Sequence, residues 1–177
     1  ILNAELGFET NVPDEAFGHD LKYPDAVKLV KSLTESAKKV GVDFGLKLTN
    51  TLESVNHRPI FPEHEKMMYM SGRALHPISV NVARKLQTEF DGQLDISFSA
   101  GIDCFNVASA VASGLKPLTV SSDVLKPGGY GKLSQYIEEL ATEMKELEAN
   151  SIDELILKKA GSSDGDVKKA ALANLQK

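Results

Sequence analysis

The chain has 177 residues, 42% apolar and 25% charged, with a formal net charge of −5 and one cysteine. That composition suits one globular domain with a sizeable core, and its acidic balance argues against a nucleic-acid partner, whose phosphates call for a basic face. No apolar run approaches the ~18 residues of a membrane span, the start carries no basic leader or cleavage site, and Cys104 alone can build neither an internal disulfide nor a metal cluster, so a cytoplasmic protein is expected.

Residues Ile1 to Gly7 read as the last turn of a helix stopping at Gly7, as in a chain cut from something longer. Phe8 to Val12 can form a strand, although Asn11 and Pro13 oppose it. A helix follows Tyr23, with Pro24 at a first helical position and Ala26, Val30, Leu33, Ala37 and Val40 spaced along one face. Lys38 and Lys39 suit its negative end and Gly41 its left-handed stop. Asp43 to Thr49 is strand-like, and Asn50 to Met70 reads as a long loop.

A second helix starts near Pro77, with Val82, Ala83, Leu86 and Phe90 inward, and Asp91-Gly92 ends it. Leu94 to Phe98 is the next strand, Cys104 to Ser113 a small-residue helix closed by Gly114, and Pro117 to Val120 a third strand. After Pro127-Gly128-Gly129 a long helix carries Leu133, Ile137, Leu140, Met144 and Leu147, with Glu138 to Glu148 supplying a solvated charged face. From Ser151 the chain reads as a helical linker of marginal helices broken by Gly161 to Gly165. Strands alternating with helices through short links imply an α/β fold of parallel βα units, and three strands cannot close a barrel alone.

Ligands of such folds sit at the carboxyl ends of strands. Ser99-Ala100-Gly101-Ile102-Asp103 and Ser121-Ser122-Asp123 are small, polar strand ends whose backbone N–H groups can hold a phosphate; small residues also simply permit tight turns. In Met70-Ser71-Gly72-Arg73-Ala74-Leu75-His76-Pro77, Gly72 permits close backbone approach to a ligand. Arg73 either pairs with an anion or is a solvated loop residue, and His76 reads as a packing or capping residue. Lys47-Leu48-Thr49-Asn50-Thr51 offers amide and hydroxyl groups to a heterocycle edge, with Lys47 one pleat from Thr49, or else a plain Asx or Thr turn. Cys104 is either activated near a helix start or, more simply, buried and inert. Met67, Met68, Tyr69 and Met70 read as cofactor lining or as gap-filling core, and His57 with His64 fits no standard metal spacing.

From about Gly7 to Leu140 the chain resembles the family named "putative selenate reductase subunit". The resemblance rests on Lys47 to Thr51, Met70 to Pro77, Ile96-Ser97-Phe98-Ser99-Ala100-Gly101 and Leu125-Lys126-Pro127-Gly128-Gly129-Tyr130. Those proteins are large iron–sulfur flavoproteins with a barrel domain related to the FMN domains of dihydropyrimidine and dihydroorotate dehydrogenases. The resemblance implies residues 1–150 as the C-terminal portion of a (β/α)8 TIM barrel binding FMN. It implies residues 151–177 as a helical tail leading toward a further domain. Asn50 and Thr51 then look like the strand-end pair that meets flavin and substrate, and Ser71 and Gly72 like the pair lying against the flavin. Ala100-Gly101 stands where the dehydrogenases have a phosphate-binding Gly-Gly step, and Ser121 and Ser122 match the small residues that complete the phosphate site. An alanine forced to positive φ at position 100 would be strained. The catalytic base and the iron–sulfur clusters are expected outside this chain.

The expected function is therefore a share of a flavin-dependent oxidoreductase acting on a small molecule, inactive alone. The remainder of its own polypeptide, or a second copy, is the expected partner. Two alternatives stand beside it: a non-catalytic assembly module that dimerises, and another phosphate-binding barrel such as an isomerase or aldolase.

Overall fold

The computed structural model describes residues 2–56 and 61–177. Its first turn ends as the sequence predicts, with Gly7 at φ 67° and the Phe8 N–H reaching back to the Leu2 carbonyl at 3.0 Å. Residues 8–12, by contrast, form no strand. The Asn3 side chain takes the Thr10 backbone and hydroxyl instead, at 2.6–3.1 Å, so local side-chain hydrogen bonds replace a ladder.

Helix α1 (Tyr23–Val40) has Pro24 in its first turn and Gly41 at φ 73° as its stop. Its buried residues are Val27, Val30 and Ala37. Leu33 and Val40, expected inward, are 41% and 73% exposed. The helix carries two overlapping apolar stripes, and the one through Val27 meets the core. Lys31 ties α1 to the next helix, bridging Glu89 at 3.7 Å and lying 5.7 Å from the centre of the Phe90 ring.

Strand β1 (Gly45–Leu48) leads not into a long loop but into an antiparallel hairpin, β2 (Leu52–Val55) and β3 (Met67–Met70), with Leu52 opposite Met70 and Val55 opposite Met67. Met70 and Ser54 are buried in it while Tyr69 stands exposed. Next come α2 (His76–Glu89), β4 (Asp95–Phe98), α3 (Val107–Ala112) and α4 (Lys132–Glu146). In α2, the Gln87 side-chain amide holds both backbone groups of Leu94, donating at 2.8 Å and accepting at 3.2 Å, which fixes where β4 begins. Helix α3 starts at Val107 rather than Cys104, because Asp103 to Asn106 form a hydrogen-bonded turn.

β1 and β4 pair in parallel, with Leu46 opposite Ile96 and Leu48 opposite Phe98. The third strand is reduced to one parallel bridge, Phe98 with Leu118. Pro117 has no N–H to give a longer ladder; its carbonyl accepts from Phe98 at 2.9 Å and Thr119 donates to Phe98 at 2.9 Å. The three parallel segments therefore lie side by side in chain order. Ile96 and Phe98 are fully buried against the helices, with Leu46, Leu48 and Leu118 packed on them. Lys47, Asp95 and Thr119 alternate to the other face and are exposed there.

The residues after 150 pack more firmly than marginal helices would. Helix α5 (Ile152–Ala160) is capped by Ser151 and α6 (Val167–Leu175) by Asp166. Leu155, Ile156, Ala170 and Leu175 are buried, and the Asn174 side chain donates to the Ala112 and Ile156 carbonyls at 2.8 and 3.0 Å. A Cβ at Gly114 would stand 2.8 Å from that of Ala171, so α6 rests directly on the end of α3.

On α4 the inward residue is Tyr136, at 5% exposure, rather than Leu133 and Ile137, at 42% and 67%. Those two line an open apolar groove of about 710 Å³ together with Leu118, Val120, Leu140 and Ile156. The groove lies on the helix side of the third parallel segment. Among the described residues no helix is long and apolar enough to cross a membrane.

Candidate functional site

Parallel strands that end at the same level bring their following loops together. Here the loop after β3 and the loops after β4 and the third segment meet at one place. The contact is backbone to backbone: a Cβ added to Gly101, whose φ is 60°, would lie 2.2 Å from the Gly72 carbonyl oxygen and 2.9 Å from the Arg73 nitrogen. Only glycine lets these loops cross so closely. A Cβ on Gly72, itself at φ 65°, would in turn touch the Ser122 Cβ at 3.4 Å, and the Ser122 hydroxyl donates to that of Ser71 at 3.3 Å. Ser71, Gly72, Gly101 and Ser122 are thus neighbours, drawn from three separate loops.

Ala100 carries no strain of the kind expected of it. The positive φ falls on Gly101, while Ala100 is not among the non-glycine residues in that region. It is 3% exposed, and its carbonyl accepts from His76 Nδ1 at 2.7 Å. His76 also meets Phe98 edge-on at 5.7 Å, so it packs the strand end as its sequence position suggests. Ser121 is exposed beside Ser122. Among the described residues, the amide N–H groups of Gly101, Ser121 and Ser122 meet no protein acceptor, which leaves them as donors at the rim.

Asn50 and Thr51 lie at the end of β1, exposed. The Asn50 side-chain oxygen accepts from Lys47 Nζ at 3.0 Å. The β1 end is fastened to its neighbours by Thr49, whose hydroxyl is 2.6 Å from that of the buried Ser79. Among the described residues no hydrogen bond joins Asn50 or Thr51 to the Ser71–Ser122 cluster, although the pairing of Leu52 with Met70 brings the Thr51 and Ser71 ends of the hairpin side by side.

Two buried aspartates, Asp103 and Asp123, brace the rim, and nothing in their local sequence signals it. Asp103 accepts from Arg73 Nε at 2.5 Å and from the Phe105 N–H at 2.9 Å; its side chain is 3% exposed, that of Arg73 59%. The Arg73 guanidinium also lies 4.9 Å from the Phe105 ring centre. The hydrogen bond and charge of Asp103, with a further contribution from Asp123, raise the Arg73 pKa above its usual range. Asn106 completes the loop by donating to the Gly101 carbonyl at 2.9 Å.

Asp123 accepts from the Tyr136 hydroxyl at 2.6 Å, from Lys132 at 3.1 Å and from Lys126 at 3.3 Å. The Tyr136 hydrogen bond first, then the two lysines, hold this carboxyl down to about 2 although burial opposes them. Burial, followed by the Asp123 hydrogen bond and charge, pushes the Tyr136 phenol well above its ordinary range.

Cys104 is half-buried against the core. His57 lies outside the described residues. His64 is 3.5 Å from Glu65, and among the described residues no three metal-ligating side chains gather.

The model of a family described as "Oxidoreductase YgfK, N-terminal TIM-barrel domain" matches residues 1–170. Among curated proteins, the chain is 45% identical over 127 residues to "Putative oxidoreductase YgfK" of Escherichia coli strain K12, and equally to the protein of that name in Escherichia coli O157:H7. Each alignment covers 72% of this chain and 12% of the relative, so the chain spans only a small part of the length of the curated relatives it matches. No solved structure matches it.

Proposed function

The chain belongs to the family of N-terminal TIM-barrel domains of oxidoreductase YgfK, and on that premise we propose that it supplies the C-terminal portion of an FMN-binding barrel in a flavin-dependent oxidoreductase. The observation that carries this reading is the meeting of Ser71 and Gly72, in the loop after the β2–β3 hairpin, with Gly101 and Ser122 at the carboxyl ends of two parallel segments. Two hydroxyls and the unpaired N–H groups of Gly101, Ser121 and Ser122 are the donor set a phosphate monoester needs. Gly101, Ser121 and Ser122 hold the phosphate, with the buried Ala100 backing them. Ser71 and Gly72 stand between phosphate and ring, while Asn50 and Thr51 at the end of β1 face the ring and substrate side.

Bound there, FMN supplies hydride or electron transfer to a small substrate. The chain's own residues anchor and orient it. Lys47 fixes the Asn50 amide through its oxygen, so that the NH₂ group is the end left to donate. Placement on strand ends gives the rigidity that orientation of a cofactor needs. The catalytic base and any iron–sulfur cluster belong to other parts of the parent protein.

The apolar groove beneath α4 favours a companion reading of how the domain is completed. Leu133, Ile137, Leu118 and Val120 expose more apolar surface beside a strand edge than a finished domain leaves open. The remainder of the same polypeptide covers it in this reading; a second copy is the other occupant. Titrating the flavin-free full-length protein with FMN and following flavin fluorescence tests the proposal. Saturable, stoichiometric quenching is expected, and none would contradict it. Residues 1–177 alone are expected to bind FMN weakly or not at all.

A further inference from the structure

We infer that Arg73 reads the charge of the anchored group, so that this rim takes a phosphate monoester dianion and discriminates FMN from its uncharged counterpart riboflavin. The inference rests on the flavin reading above and adds a residue and a selection rule to it.

Arg73 is placed for that role by both its backbone and its side chain. Its backbone nitrogen stands at the crossing with Gly101, one residue from Gly72 and two from Ser71, so the side chain leaves directly from the donor cluster. Its direction is set by a carboxylate that cannot move: Asp103 is 3% exposed and pinned by the Phe105 N–H. That carboxylate takes Nε, and Phe105 covers the guanidinium face. The two Nη groups, four N–H donors in all, meet no partner among the described residues, and the side chain remains 59% exposed. An arginine that only latched two loops would have no need of an open outer edge.

The local charge agrees. Arg73, Lys126 and Lys132 stand with Asp103 and Asp123, three cations to two carboxylates, in a chain whose net charge is −5. A surplus of positive charge thus accompanies the loops that carry the unpaired N–H groups of Gly101, Ser121 and Ser122. A bidentate guanidinium adds geometry as well as charge to phosphate recognition.

The test uses the flavin-free full-length protein as wild type, Arg73→Gln and Arg73→Lys, each titrated with FMN, riboflavin and phenyl phosphate, with thermal melts as a check on folding. Arg73→Gln is expected to weaken FMN and phenyl phosphate about ten-fold or more, and riboflavin less than about two-fold. Arg73→Lys, which keeps the charge but not the fork, is expected to fall between wild type and Arg73→Gln. Equal losses for FMN and riboflavin would mark a structural latch and overturn the inference, as would unchanged FMN affinity. If the wild type binds neither flavin, the flavin reading fails and phenyl phosphate decides for Arg73. Arg73-dependent binding of that ester keeps the assignment, and absent or Arg73-independent binding removes it.

Discussion

The two rim loops are both braced by a buried aspartate, yet the braces run in different directions. Asp103, in the loop after β4, reaches back to Arg73 in the loop of the preceding unit, thirty positions away. Asp123, after the third parallel segment, reaches forward to Tyr136 and Lys132 on the helix that follows it. The first joins one βα unit to the next; the second fixes a strand end to its own helix. Disturbing Asp103 or Arg73 therefore alters how the two loops meet, whereas disturbing Asp123 alters how α4 sits.

The largest effect belongs at the crossing that both braces serve. Gly101→Val puts a branched side chain at φ 60° and into the Gly72 carbonyl. A loss of about 2–4 kcal/mol is expected in chemical denaturation, with FMN uptake abolished in the full-length protein. A loss below about 0.5 kcal/mol, the range of a neutral surface change, would mean the loops do not cross as described.

Asp123→Asn comes next. Its carboxylate faces two lysines that keep partial access to solvent, so roughly 1–2 kcal/mol is expected rather than the full cost of a buried pair. The pH dependence gives the sharper reading. A carboxyl held at about 2 in the fold, against an ordinary 3.8, favours folding at every pH above the ordinary value. That contribution fades as pH falls from about 4 through about 2. Stability of the asparagine variant should vary less across that window than that of the wild type; identical pH profiles would remove Asp123 from the account.

Tyr136→Phe should cost least, about 1 kcal/mol for one hydrogen bond to a charged acceptor that keeps its two lysines. It should shift the acid transition in the same direction as Asp123→Asn and leave riboflavin and FMN selectivity alone. Altered selectivity would mean that the two braces are not separable.

Much of this architecture is legible in the sequence because it is periodic. Apolar spacing marks α1, α2 and α4, Gly41 marks the stop of α1 and Gly7 that of the first turn, and alternation of strands with helices implies the parallel pairing of β1 with β4. Gly101 and Ser122 stand out in small polar strand ends and Ser71-Gly72 in a glycine-bearing loop, and the structure does bring them together.

What escaped is what periodicity cannot carry. The β2–β3 hairpin hides because its strands have four residues each, too few for a clear alternation, and lie amid charges. Helices α5 and α6 look marginal alone, since their stability comes from Leu155, Ala170 and Leu175 packing against residues far away in the chain. The apolar spacing of α4 runs through Leu133 and Ile137, but the Asp123 bond turns Tyr136 inward and leaves those two in the groove. Arg73 and Asp103 are polar loop residues whose pairing has no local signature; only the crossing of their loops brings them together.

The most direct test of the central claim puts an unwanted charge into the donor cluster without disturbing either brace. Ser122→Asp places a carboxylate beside Ser71 and the rim N–H groups, on a residue whose side chain hydrogen-bonds Ser71 and lies against Gly72, which has no side chain to clash. Flavin fluorescence titration of full-length Ser122→Asp should show FMN affinity lowered at least about ten-fold, the scale of one charge-assisted contact, with the thermal melt close to wild type. Wild-type FMN affinity in that variant would contradict the claim that this rim holds the phosphate.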